Sequence, residues 1–157
     1  MNKIAIFVDV QNIYYTCKQA FNRSFNYREL YKQLAVRGEI THAYAYAIAP
    51  NDDGQVKFQD ALRYIGFEVK TKPYIQRSDG SAKGDWDVGI TIDMLELAPE
   101  VNEVILLSGD GDFDLLIKTI NRKYECFTHV ISVEALTAKS LTDQSQEFTP
   151  ITPELLK

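Results

Sequence analysis

At 157 residues, with 45% hydrophobic and 25% charged side chains, the chain has the make-up of one ordinary globular domain over 1–157, large enough to bury its own core. A net charge of −5 argues against a broad basic surface that holds nucleic acid unaided, and no apolar run approaches the roughly 20 residues of a membrane span. The opening Met-Asn-Lys-Ile-Ala-Ile-Phe-Val-Asp turns acidic too soon for a signal peptide, and Cys17 and Cys126 lack zinc-site spacing, so a cytoplasmic protein with buried free thiols is expected.

Lys3 to Asp9 is an unbroken apolar run ending in an aspartate, as a central strand covered on both faces should be. Ile13, Tyr14, Cys17 and Ala20-Phe21 follow at helical spacing, so a helix starts near Val10 or Gln11. A second helix is predicted from Tyr27 to Val36, with Leu30 and Leu34 inward and Gly38 as its stop. His42 to Ile48 reads as the second strand. Val56, Phe58, Ala61, Leu62 and Ile65 mark a helix ending at Gly66, and Phe67 to Ile75 alternates as a third strand.

Gln76 to Gly84 is polar and glycine-bearing and reads as a mobile loop. A helix from about Asp85 to Ala98 comes next, with Val88, Ile92 and Leu95 on its core face. Glu103 to Leu107 is the fourth strand, its acidic turn Ser108-Gly109-Asp110-Gly111-Asp112 leading into a helix that runs to about Arg122. A fifth strand spans roughly Glu125 to Val133. Beyond it lie a short helix near Ala135 to Leu141 and, after about 142, a weakly patterned extended tail. Strands alternating with helices imply a three-layer α/β/α sandwich with a mostly parallel sheet, and the common doubly wound order is 3-2-1-4-5.

That order sets strands one and four side by side at the crevice where such sheets hold ligands. Asp9 ends strand one and Asp110 follows strand four, so two carboxylates far apart in sequence share a cleft. Either Asp110 or Asp112 alone could be a helix N-cap, but a cap needs one carboxylate and the turn has two. The helix after strand three begins on the same side of the sheet. Asp87 in its first turn is the better third ligand; Asp85 is placed to be the N-cap, and Asp93, about 9 Å further along at 1.5 Å per residue, reads as a solvated surface charge.

Asp9, Asp87, Asp110 and Asp112 in one crevice repel unless a proton or a cation neutralises them. Hard oxygen ligands without a cysteine or histidine cluster point to Mg²⁺ or Mn²⁺. Such a site activates water and stabilises charge on a phosphoryl group. Asn12 is placed to bond a ligand carboxylate or a metal-bound water, or it is simply a polar residue of a first helical turn. His42 and His129 are isolated in predicted strands and read as packed or surface residues. Ser108 sits outside any Gly-x-Ser-x-Gly elbow and is assigned hydrogen bonding to the turn.

Cations gather in one place: Lys70, Lys72, Arg77 and Lys83 run from strand three into the polar loop, with Tyr74 among them and Trp86 after. Phosphate contacts with base stacking on such a stretch suit single-stranded nucleic acid, while a lysine-protected edge strand is the plain alternative.

Three stretches, Phe7-Val8-Asp9-Val10-Gln11-Asn12, Lys83-Gly84-Asp85-Trp86-Asp87-Val88 and Ser108-Gly109-Asp110-Gly111-Asp112-Phe113, together resemble the NYN domain of the LabA-like branch, within the PIN-like nuclease superfamily. The resemblance runs from Lys3 to about Phe148. It implies a parallel α/β sandwich, an acidic Mg²⁺ or Mn²⁺ site made by Asp9, Asp87, Asp110 and Asp112 with Asn12 in support, and cleavage or processing of RNA. Two positions depart from the family pattern. Val10 stands where glycine is common, and Asp85 intrudes before Trp86-Asp87, which makes Asp85 a rival ligand.

The expectation is therefore a metal-dependent endoribonuclease, with Lys70, Lys72, Arg77 and Lys83 guiding the RNA. The competing readings are a non-catalytic RNA- or protein-binding regulatory module on the same fold and a metal-dependent phosphatase that needs no basic loop. RNA, single-stranded or structured, is the expected partner; no membrane is involved, and a homodimer is allowed.

Overall fold

A computed structural model of the protein describes residues 2–73, 75–76, 82–83 and 85–157, the two short pairs by their backbone alone. In chain order it holds β1 (Lys3–Asp9), α1 (Val10–Phe21), α2 (Tyr27–Arg37), β2 (Glu39–Ile48), α3 (Asp53–Ile65) and β3 (Glu68–Lys72). Then come α4 (Asp87–Leu97), β4 (Glu103–Leu107), α5 (Asp114–Lys123), β5 (Phe127–Ser132), α6 (Lys139–Gln144) and β6 (Glu147–Pro150). The strands form one sheet in the order β3-β2-β1-β4-β5-β6, and every neighbouring pair is parallel.

Alternation along the two central strands divides the core. Ile4, Ile6 and Val8 of β1 with Ile105 and Leu107 of β4 face α1, α2 and α3, whose Ile13, Cys17, Leu30, Leu34 and Leu62 fill that side. Ala5, Phe7, Val104 and Leu106 face the other way, onto Ile90 and Met94 of α4, Leu116, Ile117 and Ile120 of α5 and Leu141 of α6. Both faces of the central sheet are thus dry, which is why Ile4 to Val8 of β1 and Val104 to Leu107 of β4 are apolar without a break and do not alternate with polar residues. Truncating one of these fully buried side chains, Leu106→Ala for example, should cost about 2–5 kcal/mol.

Local chemistry fixes the element ends. Asn26 accepts from the Glu29 amide at 3.1 Å and Asp52 from the Gln55 amide at 2.7 Å, each capping a helix start. Gly66, at φ +136°, ends α3 in a backbone conformation that a side chain disfavours. Cys17 and Cys126 are buried free thiols. No helix among the described residues is long and apolar enough to cross a membrane.

The predicted order 3-2-1-4-5 holds, and a sixth strand extends it. Glu147–Pro150 was expected as part of the extended tail; being a short edge strand, half-buried throughout and ending in proline, it carries no alternation to read. Strand three is shorter than predicted. It stops at Lys72 because Pro73 has no amide for the ladder, and Ile75–Gln76 pairs instead with Ala82–Lys83 in a separate antiparallel ladder.

The core face of α4 also differs from expectation. Ile90 and Met94 are fully buried, whereas Val88 is 72% and Ile92 50% exposed, and Leu95 packs only partly against the core. Of the eleven residues Asp87-Val-Gly-Ile-Thr-Ile-Asp-Met-Leu-Glu-Leu97, most are apolar, so the helix offers more than one stripe and periodicity alone does not choose its rotation. Asp93, expected as a solvated charge, is half-buried and paired with Lys70 at 2.8 Å.

Candidate functional site

Parallel pairing of β1 with β4 aligns Val8 with Leu107, so Asp9 and Ser108 leave the sheet next to one another. Ser108 joins the two strand ends: its hydroxyl donates to Asp9 Oδ2 at 3.0 Å and accepts from the Asp110 amide at 3.2 Å. Asn12, in the first turn of α1, uses its side-chain oxygen to accept from the Gly109 amide at 3.0 Å. That bond ties the acidic turn to α1, and the backbone amide of Asn12 in turn points at Asp9 Oδ1, 3.5 Å away. Both oxygens of Asp9 therefore have donors, and its orientation is set by two elements.

Asp110 caps the short turn after β4, accepting from the Asp112 amide at 2.9 Å through Oδ1. Capping and site membership are not alternatives here, because the cap uses one oxygen and leaves the other. The turn is also pressed from behind. A Cβ on Gly109 would lie 2.9 Å from the Leu136 carbonyl and 3.2 Å from Thr137 Cα, and one on Gly111 would lie 2.8 Å from the Ala138 methyl. Both glycines are needed for this close approach, which a bond from the Ala138 amide to the Gly109 carbonyl at 3.1 Å secures.

Asp87 opens α4 on the same side of the sheet. One carboxylate oxygen each from Asp87, Asp110 and Asp112 lies within 4.8 Å of the others. Asp85, exposed just before the helix, accepts from the Asp87 amide at 3.3 Å, but the N-cap position expected for it falls to Trp86, which makes no side-chain capping bond. Thus Asp87, and not Asp85, contributes to the close group, while Asp9 and Asp85 stand near enough to act on it through their charge.

The electrostatics follow from that crowding. Burial raises the Asp9 carboxyl to about 6 against the hydrogen bonds from Ser108 and Asn12, with Asp110 and Asp85 adding to the rise. Burial also raises Asp87, and the adjacent Asp110 carboxylate is the next cause. Among the described residues, no lysine, arginine or histidine forms an ion pair with Asp9, Asp85, Asp87, Asp110 or Asp112. Oxygen donors of this density, with no protein cation against them, suit a hard divalent ion.

The predicted cations do other things. Lys70 bonds Asp93 and lies 4.1 Å from the Tyr44 ring centre, and Lys72 donates to the Asp85 carbonyl while standing 4.9 Å from the Trp86 ring. Arg77 and the side chain of Lys83 lie outside the described residues. The sequence reading missed a second polar cluster at the opposite end of the sheet. There Glu103, buried at the start of β4, accepts from Arg37 at 2.8 Å and Asn2 at 3.2 Å and meets His129 at 3.3 Å, while Arg37 also reaches Glu147. His129 is thus a packed residue, as expected; only the isolated Glu103 in an apolar run hinted at a partner.

A family model for the NYN domain matches residues 3–152. The low amplitude and bright protein LabA of Synechococcus elongatus is 30% identical over 155 residues, covering 94% of this chain and 82% of LabA. The crystal structure of a protein of unknown function from Vibrio parahaemolyticus is 51% identical, superposes with a TM-score of 0.95, and covers 99% of this chain and 96% of its own.

Proposed function

Because this chain belongs to the NYN domain family, we propose that it is a metal-dependent endoribonuclease that cleaves RNA phosphodiesters at the acidic centre. One observation carries the reading: Asp87, Asp110 and Asp112 bring carboxylate oxygens within 4.8 Å of one another at the carboxyl ends of the central strands. A cluster of this kind is costly to a fold that has no use for it.

Asp87, Asp110 and Asp112 would hold Mg²⁺ or Mn²⁺, with Asp9 completing the acidic shell. When bound, such an ion supplies Lewis acidity for water activation and neutralises charge at the phosphoryl group. The chain's own residues do the rest. Asp9, fixed through both oxygens by Ser108 and Asn12, holds a constant orientation, and Asp110 keeps one oxygen on the Asp112 amide. Burial and the adjacent Asp110 raise the Asp87 carboxyl, so a proton and a cation would compete for it.

The test is cleavage of a pool of labelled single-stranded and structured RNAs with Mn²⁺, with Mg²⁺ and with chelator, alongside Asp110→Asn. Metal-dependent cutting that disappears in the variant is the expected result; undiminished cutting by Asp110→Asn removes the assignment. RNA bound but never cut with any divalent ion would indicate a regulatory binding module. The internal engagement of Lys70 and Lys72 favours a second reading, a metal-dependent phosphatase acting on a small phosphoester. Turnover of a phosphomonoester alongside intact RNA would select it.

A further inference from the structure

α4 carries Asp87 to the acidic cluster, yet neither its apolar pattern nor a side-chain cap fixes how the helix starts. The N-cap position is Trp86, which makes no capping bond, and the apolar residues run nearly all round the helix. What does hold this end is the indole. Its Nε1–H donates to the Ala47 carbonyl of β2 at 2.8 Å, and its ring packs 5.3 Å from the Tyr46 ring, tilted by 58°. Lys72 of β3 stands 4.9 Å from the ring.

Gly89 makes room for this. A Cβ there would lie 2.5 Å from Trp86 Cε3 and 2.9 Å from Cζ3, so the indole folds back over the first turn only because residue 89 has no side chain. Glycine inside a helix is less favourable than alanine, a cost with no return in the helix itself. Tyr46 beneath the ring gains a second tie, donating to Asp93 at 2.8 Å, but that contact sits nearly two turns further along α4.

We propose that Trp86 is the positioning residue of the acidic centre: seated on Tyr46 and Ala47 and accommodated by Gly89, it sets the start and rotation of α4 that turn Asp87, and not exposed Val88, toward Asp110. The inference rests on the reading of the cluster as a divalent-cation site. It assigns Trp86 no contact with substrate or metal.

The experiment uses the full chain and the variants Trp86→Ala, Trp86→Phe, Gly89→Ala and Asp93→Asn. Hydrogen exchange of residues 85–90, in chelator, reports the helix start without any metal. Mn²⁺ binding and Mn²⁺ half-saturation of RNA cleavage report its consequence. Trp86→Ala should speed exchange in that segment at least tenfold while β1 and β4 stay protected, and should raise the Mn²⁺ half-saturation about tenfold with turnover at saturating Mn²⁺ within threefold of wild type. Trp86→Phe, which keeps a ring over Tyr46, should recover part of both effects.

Gly89→Ala should shift metal affinity as Trp86→Ala does, although alanine favours the helix. Asp93→Asn should lower thermal stability and leave Mn²⁺ half-saturation within twofold. Unchanged exchange in Trp86→Ala would overturn the inference, as would equal metal shifts in Trp86→Ala and Asp93→Asn, which would mean general loosening of α4. Faster exchange in Trp86→Ala with no Mn²⁺ binding by wild type would instead overturn the cation-site reading and with it the functional half of this one, leaving the indole as an anchor of the helix alone.

Discussion

Replacing Asp9 by asparagine should make the metal-free protein more stable at neutral pH, although it removes a residue of the centre. Burial holds the Asp9 carboxyl at about 6, against 3.8 for an ordinary aspartate. A carboxyl raised in the native state binds more protons folded than unfolded, so its contribution is fully present below about pH 4 and is lost as pH rises toward about 6. At 1.36 kcal/mol per unit, the two-unit rise is a penalty of at most about 3 kcal/mol at pH 7. Asparagine removes the charge but keeps only one acceptor oxygen for the two donors, Ser108 Oγ and the Asn12 amide, which returns roughly 1 kcal/mol of the gain. The net expectation is about 1–2 kcal/mol of stabilisation, or roughly 3–6 °C in Tm for a domain of this size.

Urea denaturation at pH 4, 5, 6 and 7 in chelator measures both parts. The stability of wild type relative to Asp9→Asn should fall across that window, the two curves diverging as pH rises. Mn²⁺ should reverse the order: binding to the native state at a hundred times Kd adds about 2.7 kcal/mol, which wild type gains and the variant largely does not. A difference between wild type and Asp9→Asn that stays constant from pH 4 to 7, or an Asp9→Asn protein less stable at pH 7 without metal, would refute the charge argument.

Gly109→Ala should abolish cleavage and lower stability as well, since its Cβ, 2.9 Å from the Leu136 carbonyl, can be accommodated only by moving backbone of the acidic turn or the segment behind it; activity beside a thermal melt checks this, and normal activity counts against the packed turn. Arg37→Ala should destabilise the protein by about 2–3 kcal/mol, because it leaves the buried Glu103 carboxylate with only His129 and Asn2; urea denaturation should show it. Burial pushes Glu103 up, but hydrogen bonds from His129, Arg37 and Asn2 outweigh it and hold the carboxyl below its usual range. That contribution is present above about pH 4 and lost as pH falls below it, so the Arg37→Ala deficit should shrink in acid. Lys70→Ala should lower stability by about 1 kcal/mol through its pairs with Asp93 and Tyr44 and leave RNA affinity unchanged; a large loss of affinity would return Lys70 to the RNA path.

The central part of the fold was legible because its physics is local and repeated. β1 and β4 are buried on both faces, so Ile4 to Val8 and Val104 to Leu107 are unbroken apolar runs, the first ending at Asp9 and the second followed within three residues by Asp110. Short connections and the right-handed crossover then leave few ways to arrange them. The paired strand ends bring Asp9 and Asp110 together without any sequence motif linking them. Elements whose burial is partial or nearly uniform were harder to read. β6 is a half-buried edge strand, and α4 is apolar on more than one side, so Val88 and Ile92 were set inward when Ile90 and Met94 are. Asp93 looked like a surface charge because nothing near it in sequence announces Tyr46 or Lys70, which reach it from strands 47 and 23 residues away.

The same distinction accounts for the cations. Lysines on an edge strand read equally well as guides for an anion and as a guard against pairing, and the sequence cannot weigh those roles without knowing what lies across from them. Across from Lys70 is Asp93, and across from Lys72 are the Asp85 carbonyl and the Trp86 indole. Both lysines thus fasten α4 and the segment before it to the β2–β3 edge, the side from which Asp87 enters the cluster. Only Lys72 acts beside the start of α4, where Asp87 lies; Lys70 steadies the helix further along, at Asp93. If the proposed nuclease reading holds, a chain of net charge −5 would meet RNA through the cation its aspartates gather, so affinity for RNA, and not turnover alone, should depend on the divalent ion; equal RNA binding in chelator and in Mn²⁺ would refute this.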